Sequence, residues 1–183
     1  MGWFKILSTP LSALAPNTYK GLYRSEPFPK NDSTTCFLEL WERYVQYQED
    51  CLVGNVTVFP LNELKELAIQ ASKTSGESFE VIYMSEDNNC PHNAIYYGID
   101  VIGSGGYSLI GDGLFIKGEG GKMILSVIGE YFRKKLNSYS LFSTDNQALC
   151  FKRTLEELTV ISPNLIENEA WKCVHVFGLI FTT

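Results

Sequence analysis

The sequence predicts an α+β fold, a mostly antiparallel sheet packed against three to four helices. Three observations point there. Apolar residues switch between helical and extended spacing in the order helix, strand, helix, strand, strand, helix, helix, strand, which lacks the regular alternation of a parallel sheet. Two strand-like runs, 79–84 and 94–102, are separated only by the polar stretch 85–93, most simply the joint of an antiparallel pair. The stretch 171–182 is apolar enough for an interior strand, or for one paired at its edge with a partner. At 183 residues the chain suits one core rather than two. It is read as a single domain, with an irregular segment over 1–32 and the α+β core over 33–183.

Taken in order, residues 1–32 carry Pro10, Pro16, Pro27 and Pro29, although Trp3, Phe4, Ile6 and Leu7 can add a short strand. Asn31 to Thr34 supply helix-start chemistry, and Phe37, Leu38, Trp41, Tyr44 and Val45 recur at helical spacing, predicting a helix over 35–48. Val56 to Phe59 read as a short strand stopped by Pro60. Asn62 is the expected cap of an amphipathic helix with Leu61, Leu64, Leu67, Ala68 and Ala71 on one face. After the two central strands, glycines at 103, 105, 106, 111 and 113 predict tight turns, with Leu114 to Ile116 as a further strand. A helix over 122–136 buries Ile124, Leu125, Ile128, Phe132 and Leu136. Thr144 with Gln147 forms a capping box for a helix that buries Ala148, Phe151, Leu155 and Leu158.

Composition excludes several function classes. A net charge of −6 disfavours nucleic-acid binding, which needs clustered Lys and Arg; the one basic run, Arg133 to Lys135, falls where a helix should end. No run approaches the length of a membrane span. Lys5 to Ala15 resembles a short, interrupted signal peptide, and Gly2 lacks the Ser or Thr at position 6 that myristoylation uses. Five dispersed cysteines without a CxxC pair read as free thiols in a reducing compartment. The expected location is the cytoplasm.

Candidate chemistry starts from the only two histidines, each in a Cys-x-His: Cys90-Pro91-His92 and Cys173-Val174-His175. Should the loop fold over the last strand, two thiolates and two imidazoles could enclose a tetrahedral zinc, giving a zinc-stabilised scaffold. The same residues permit a hydrolase or transferase, with Cys90 or Cys173 activated by His92 or His175 and Asp100 orienting the imidazole. Plain core residues remain the simpler account of Cys and His on an interior strand. The glycines at 103–106 fit no phosphate loop, because Tyr107 follows Gly106 where Lys is required before Ser108, and no dinucleotide fingerprint. Gly106 to Ile110 misses the lipase elbow by its last residue. Glu86-Asp87 lacks the order of a calcium loop, and Glu156-Glu157 reads as a solvated helix face.

Tyrosines beside glycines make a protein-binding surface, since Tyr anchors interfaces, and the binding residues expected are Tyr96, Tyr97, Asp100, Tyr107, Ser108 and Asp112. The segment Tyr97 to Val101, followed by Gly106 to Ile110 and Leu114-Phe115, resembles small bacterial proteins, among them proteins of the toxin-immunity type. The resemblance covers about twenty residues. It implies a compact acidic protein that neutralises a partner, such as a basic toxin domain, by binding it, with no cofactor. Acidity suits such a partner through electrostatic steering. The oligomeric state stays open at this point.

Overall fold

A four-stranded antiparallel sheet in the order β1–β2–β4–β3 organises the chain. In the computed structural model, residues 2–7, 35–52, 58–75, 79–103, 127–163 and 170–180 are described. The strands are β1 (Gly2–Leu7), β2 (Glu80–Ser85), β3 (Ala94–Ile102) and β4 (Lys172–Leu179). The helices are α1 (Thr35–Leu52), α2 (Leu61–Ser75), α3 (helical over 127–133) and α4 (Asp145–Ile161). The predicted α+β class is the observed one. The short strand allowed by Trp3, Phe4, Ile6 and Leu7 is β1, which includes Lys5 to Leu7 of the signal-like stretch. The possible strand at 114–116 and the first turns of the helix expected over 122–136 lie outside the described residues. Among the described residues no helix is long and apolar enough to cross a membrane.

Three expectations are corrected. The runs at 79–84 and 94–102 do not pair: β4 lies between them, antiparallel to both, so β2 and β3 run parallel to each other. The physical reason is the apolarity of β4, whose Val174, Val176 and Phe177 are buried and bring more to the centre of a sheet than to its edge. Residues 86–93 therefore carry the chain past a strand that comes some eighty residues later. Secondly, Val58 and Phe59 are not strand. Phe59 instead turns into the core against Tyr44 and Tyr47, at ring distances of 6.0 and 5.4 Å. The carbonyl of Pro60 accepts from Glu63 and Leu64, so α2 starts at Leu61 and Asn62 is inside it rather than its cap.

Alternation along the strands gives the sheet two faces. Register places Phe4, Tyr83, Phe177, Tyr96, His175, Ile99, Val101 and Cys173 on one of them, the front. Val174, Val176, Met84, Ile82 and Trp3 occupy the other, where the Tyr97 ring covers Gly178 and stacks on Tyr139 at 4.3 Å. The strand β4 thus contributes to two buried clusters. One joins Val174 and Val176 to β1, β2, α1 and α2; the other joins Ile99 and Val101 to Phe132, Phe142, and Ala148, Phe151 and Leu155 of α4. Thr144 caps α4 by accepting from Gln147 N–H, and Gln147 Oε1 in return accepts from Ser143 N–H at 3.2 Å, close to the predicted capping box.

Both edges of the sheet are covered, one by side chains and the other by backbone and side chain together. At β1, the outward N–H groups of Phe4 and Ile6 donate to the hydroxyls of Tyr47 (2.8 Å) and Tyr44 (2.7 Å) of α1, and Gln48 donates to the Phe4 carbonyl. Tyrosines at helical spacing thereby replace the missing neighbour strand. At β3, Ile99 exchanges two backbone hydrogen bonds of 2.8 Å with Phe142, while Asn137 Nδ2 donates to the Tyr97 carbonyl at 2.7 Å. Burial pushes the Tyr44 hydroxyl well above the ordinary tyrosine range, outweighing its bond to Ile6. A raised folded-state value means its stabilising contribution is complete below the unfolded value of about 10 and is lost as pH rises above it. Replacing Tyr44 with Phe leaves the Ile6 N–H without a partner and is expected to lower stability by about 1–3 kcal/mol. Urea titrations of both proteins check this, and the variant should also lose stability less steeply with alkaline pH; an unchanged midpoint would discard the edge-lock argument.

Candidate functional site

The front face carries one aromatic side chain from every strand. Phe4, Tyr83, Phe177 and Tyr96 are successive register partners, with ring centroids 5.1, 6.3 and 5.2 Å apart. Cross-strand aromatic pairs of this kind stabilise a sheet through contact beyond simple burial. Gly2 makes room for the row, because a Cβ there would sit 1.9 Å from the Tyr83 hydroxyl.

At its β1 end the row opens into a groove of about 420 Å³ lined by Phe4, Tyr83, Tyr47, Phe59, Cys90 and Pro91 among others. At the β3 end stands Tyr96, 41% exposed. Beside it the Phe177 ring is buried, as is His175, which is only 6% exposed. The Tyr96 hydroxyl lies 3.2 Å from His175 Nδ1, and His175 Nε2 lies 3.4 Å from Asp145 Oδ1. Asp145 opens the first turn of α4, where a carboxylate complements the helix dipole, and its side chain is 67% exposed. Partial burial, and then the Asp145 charge, push the Tyr96 hydroxyl above its ordinary value, so it stays protonated at neutral pH.

The structure separates residues that the sequence grouped. His175 is joined by Tyr96 and Asp145, not by Asp100: Asp100 pairs with Val174 and Ile99 with His175, so strand alternation puts Asp100 on the opposite face. Asp100 is fully buried, and its carboxylate accepts from Val101 N–H at 2.8 Å. Tyr97 is likewise a core residue, its hydroxyl donating to Glu80. Neither is placed to touch a partner. Tyr107, Ser108 and Asp112 lie outside the described residues.

Cys90 and His92 are exposed in the 86–93 crossover, whereas Cys173 is partly buried against the Ile99 cluster. Among the described residues no group of three or more His, Cys, Asp or Glu side chains is placed to hold a metal, so the four proposed zinc ligands are not gathered. Cys51, Cys90, Cys150 and Cys173 carry free thiols. Burial pushes the Cys173 thiol up, with Asp145, Asp100 and Glu156 adding to the effect against Lys152. A nucleophilic thiolate needs the opposite shift.

The residue that sequence reasoning missed is Asp145. Its signal was present as the first-turn acid of a capped helix, but nothing in the spacing ties position 145 to position 175. Chemically, the arrangement sets the hydroxyl of a partly exposed tyrosine against a buried imidazole, with a carboxylate on the imidazole's other side. No family model, curated protein or solved structure matches the chain.

Proposed function

We propose that the chain is a non-enzymatic protein-binding module, an immunity-type inhibitor that neutralises a basic partner by direct contact through the exposed Tyr96 end of its sheet. The observation that carries this reading is Tyr96: a tyrosine 41% exposed at the end of a four-strand aromatic row, beside the carboxylate of Asp145. A tyrosine held by neighbouring rings loses little side-chain freedom on binding, which is why such residues dominate interface energetics. The chain's net charge of −6 favours encounter with a basic surface.

The hydrolase or transferase alternative requires an activated thiol beside His175, and burial of Cys173 favours the neutral thiol instead. The scaffold alternative requires four ligands around one zinc, which the described residues do not gather.

Native mass spectrometry of the tagged protein isolated from its own cells tests the proposal. The wild type should carry a second protein in simple stoichiometry. Tyr96→Ala should weaken that complex by about 2 kcal/mol, roughly thirtyfold, with the fold intact by circular dichroism. A bare monomer from wild-type cells, or equal retention by the variant, would sink it.

A further inference from the structure

Within that reading, we infer that Tyr96, His175 and Asp145 form a recognition site for an arginine side chain of the partner. Which atoms hold the protons decides what the site can recognise. Asp145 Oδ1 stands 3.4 Å from His175 Nε2, and a carboxylate can only accept, so that contact favours the neutral tautomer with its proton on Nε2. In the neutral imidazole Nδ1 is then an acceptor, and the Tyr96 hydroxyl must donate to it across their 3.2 Å separation. The proton of Tyr96 is committed inward, and its exposed oxygen offers only lone pairs.

With the imidazole neutral, the surface presented is acceptor-only: the Tyr96 oxygen and the Asp145 carboxylate, beside a tyrosine that is 41% exposed. The imidazole stands between the two acceptors. A guanidinium suits this site, since its fork of donors can reach two separated acceptors while its plane lies on an aromatic ring. An ammonium is a compact point charge and reaches one of them. Electrostatics agree, because a basic partner is what the acidic chain favours.

The test uses the full isolated chain, labelled with ¹⁵N, and N-acetylarginine amide, N-acetyllysine amide and N-acetylcitrulline amide as probes. At pH 7.5 the neutral imidazole of His175 should show its proton on Nε2. Arginine amide should then shift the His175 and Tyr96 signals, lysine amide should bind about fivefold more weakly, and citrulline amide should do nothing. Tyr96→Phe and Asp145→Asn, which keep the ring and the helix cap, should each reduce the response severalfold. A neutral imidazole protonated on Nδ1, or a citrulline response equal to that of arginine, overturns the site. A clear arginine response in a chain that retains no partner in its own cells supports the site and removes the protein-binding reading alone. A retained partner indifferent to both variants, with no arginine response, removes the site alone.

Discussion

Gly98→Ala is expected to lower stability by about 3 kcal/mol or more, because it combines backbone strain with a clash that nothing flexible can relieve. Gly98 has φ of +138°, a conformation that side chains resist. A Cβ there would lie 2.7 Å from the carbonyl oxygen of Phe142 and 2.9 Å from both Asn137 Nδ2 and Leu141 Cβ. The first is backbone, so relief requires β3 to move away from the segment that guards its edge. That movement breaks the paired hydrogen bonds of Ile99 with Phe142 and the Asn137 bond to the Tyr97 carbonyl. The register of β3 against β4 shifts at this point, between Tyr96 and Gly98. Tyr96 and His175 therefore depend on the glycine for their mutual placement. Urea denaturation of the variant gives the cost, and a loss below about 1 kcal/mol would show that the irregularity is tolerant rather than required.

Phe142→Ala is expected to cost about 3–5 kcal/mol, the range for emptying an aromatic site in a packed core. The side chain is fully buried, its ring 6.2 Å from Phe132 and 5.5 Å from Phe151. Through these it connects α3 and α4 to the front of the sheet. Its backbone bonds to Ile99 survive truncation in principle, so the loss measures packing. Asp145 begins the helix that Phe151 anchors, and a loosened α4 should also carry the carboxylate away from His175. Denaturation combined with the His175 imidazole signals separates the two effects. A stable variant with an unchanged imidazole environment would mean that the second cluster contributes little to either.

Much of the architecture was legible because it rests on local chemistry. The helical spacing of Trp41, Tyr44 and Val45, the apolar face from Leu64 to Ala71 and the Thr144 cap each identify a helix from neighbouring residues alone, although α1 runs on to Leu52. The apolarity of Val174 to Phe177 announced an interior strand, and the structure puts it inside the sheet. Strand neighbours were less legible. The brevity of the polar stretch 85–93 argued for pairing β2 with β3, and only the competing demand of β4 for the centre overrides it. The site shows the same division. Tyr96 and His175 stood out by residue type, but their meeting depends on the register of β3 with β4. Choosing between Asp100 and Asp145 as the acid near His175 depends on strand parity and on where a helix docks, and neither is encoded at short range.

The place of β4 has a consequence for how the chain reaches this arrangement. While the polypeptide emerges from a ribosome, β1 and β2 can meet as soon as residue 85 is free, but β3 meets no other strand of the described residues until 172–179 have been made, with Phe142 its bridge at Ile99 in the meantime. For some seventy residues of synthesis, the nascent chain holds a two-stranded ribbon and, separate from it, β3 without its sheet partner, its Ile99 and Val101 destined for burial. The central contacts join positions far apart in sequence, so their closure carries a large loop entropy and sheet completion is slow for a protein of this size. The final strand acts as a keystone, set last and bearing on both sides, and until it arrives the edges beside it are the ones most open to pairing with the wrong neighbour.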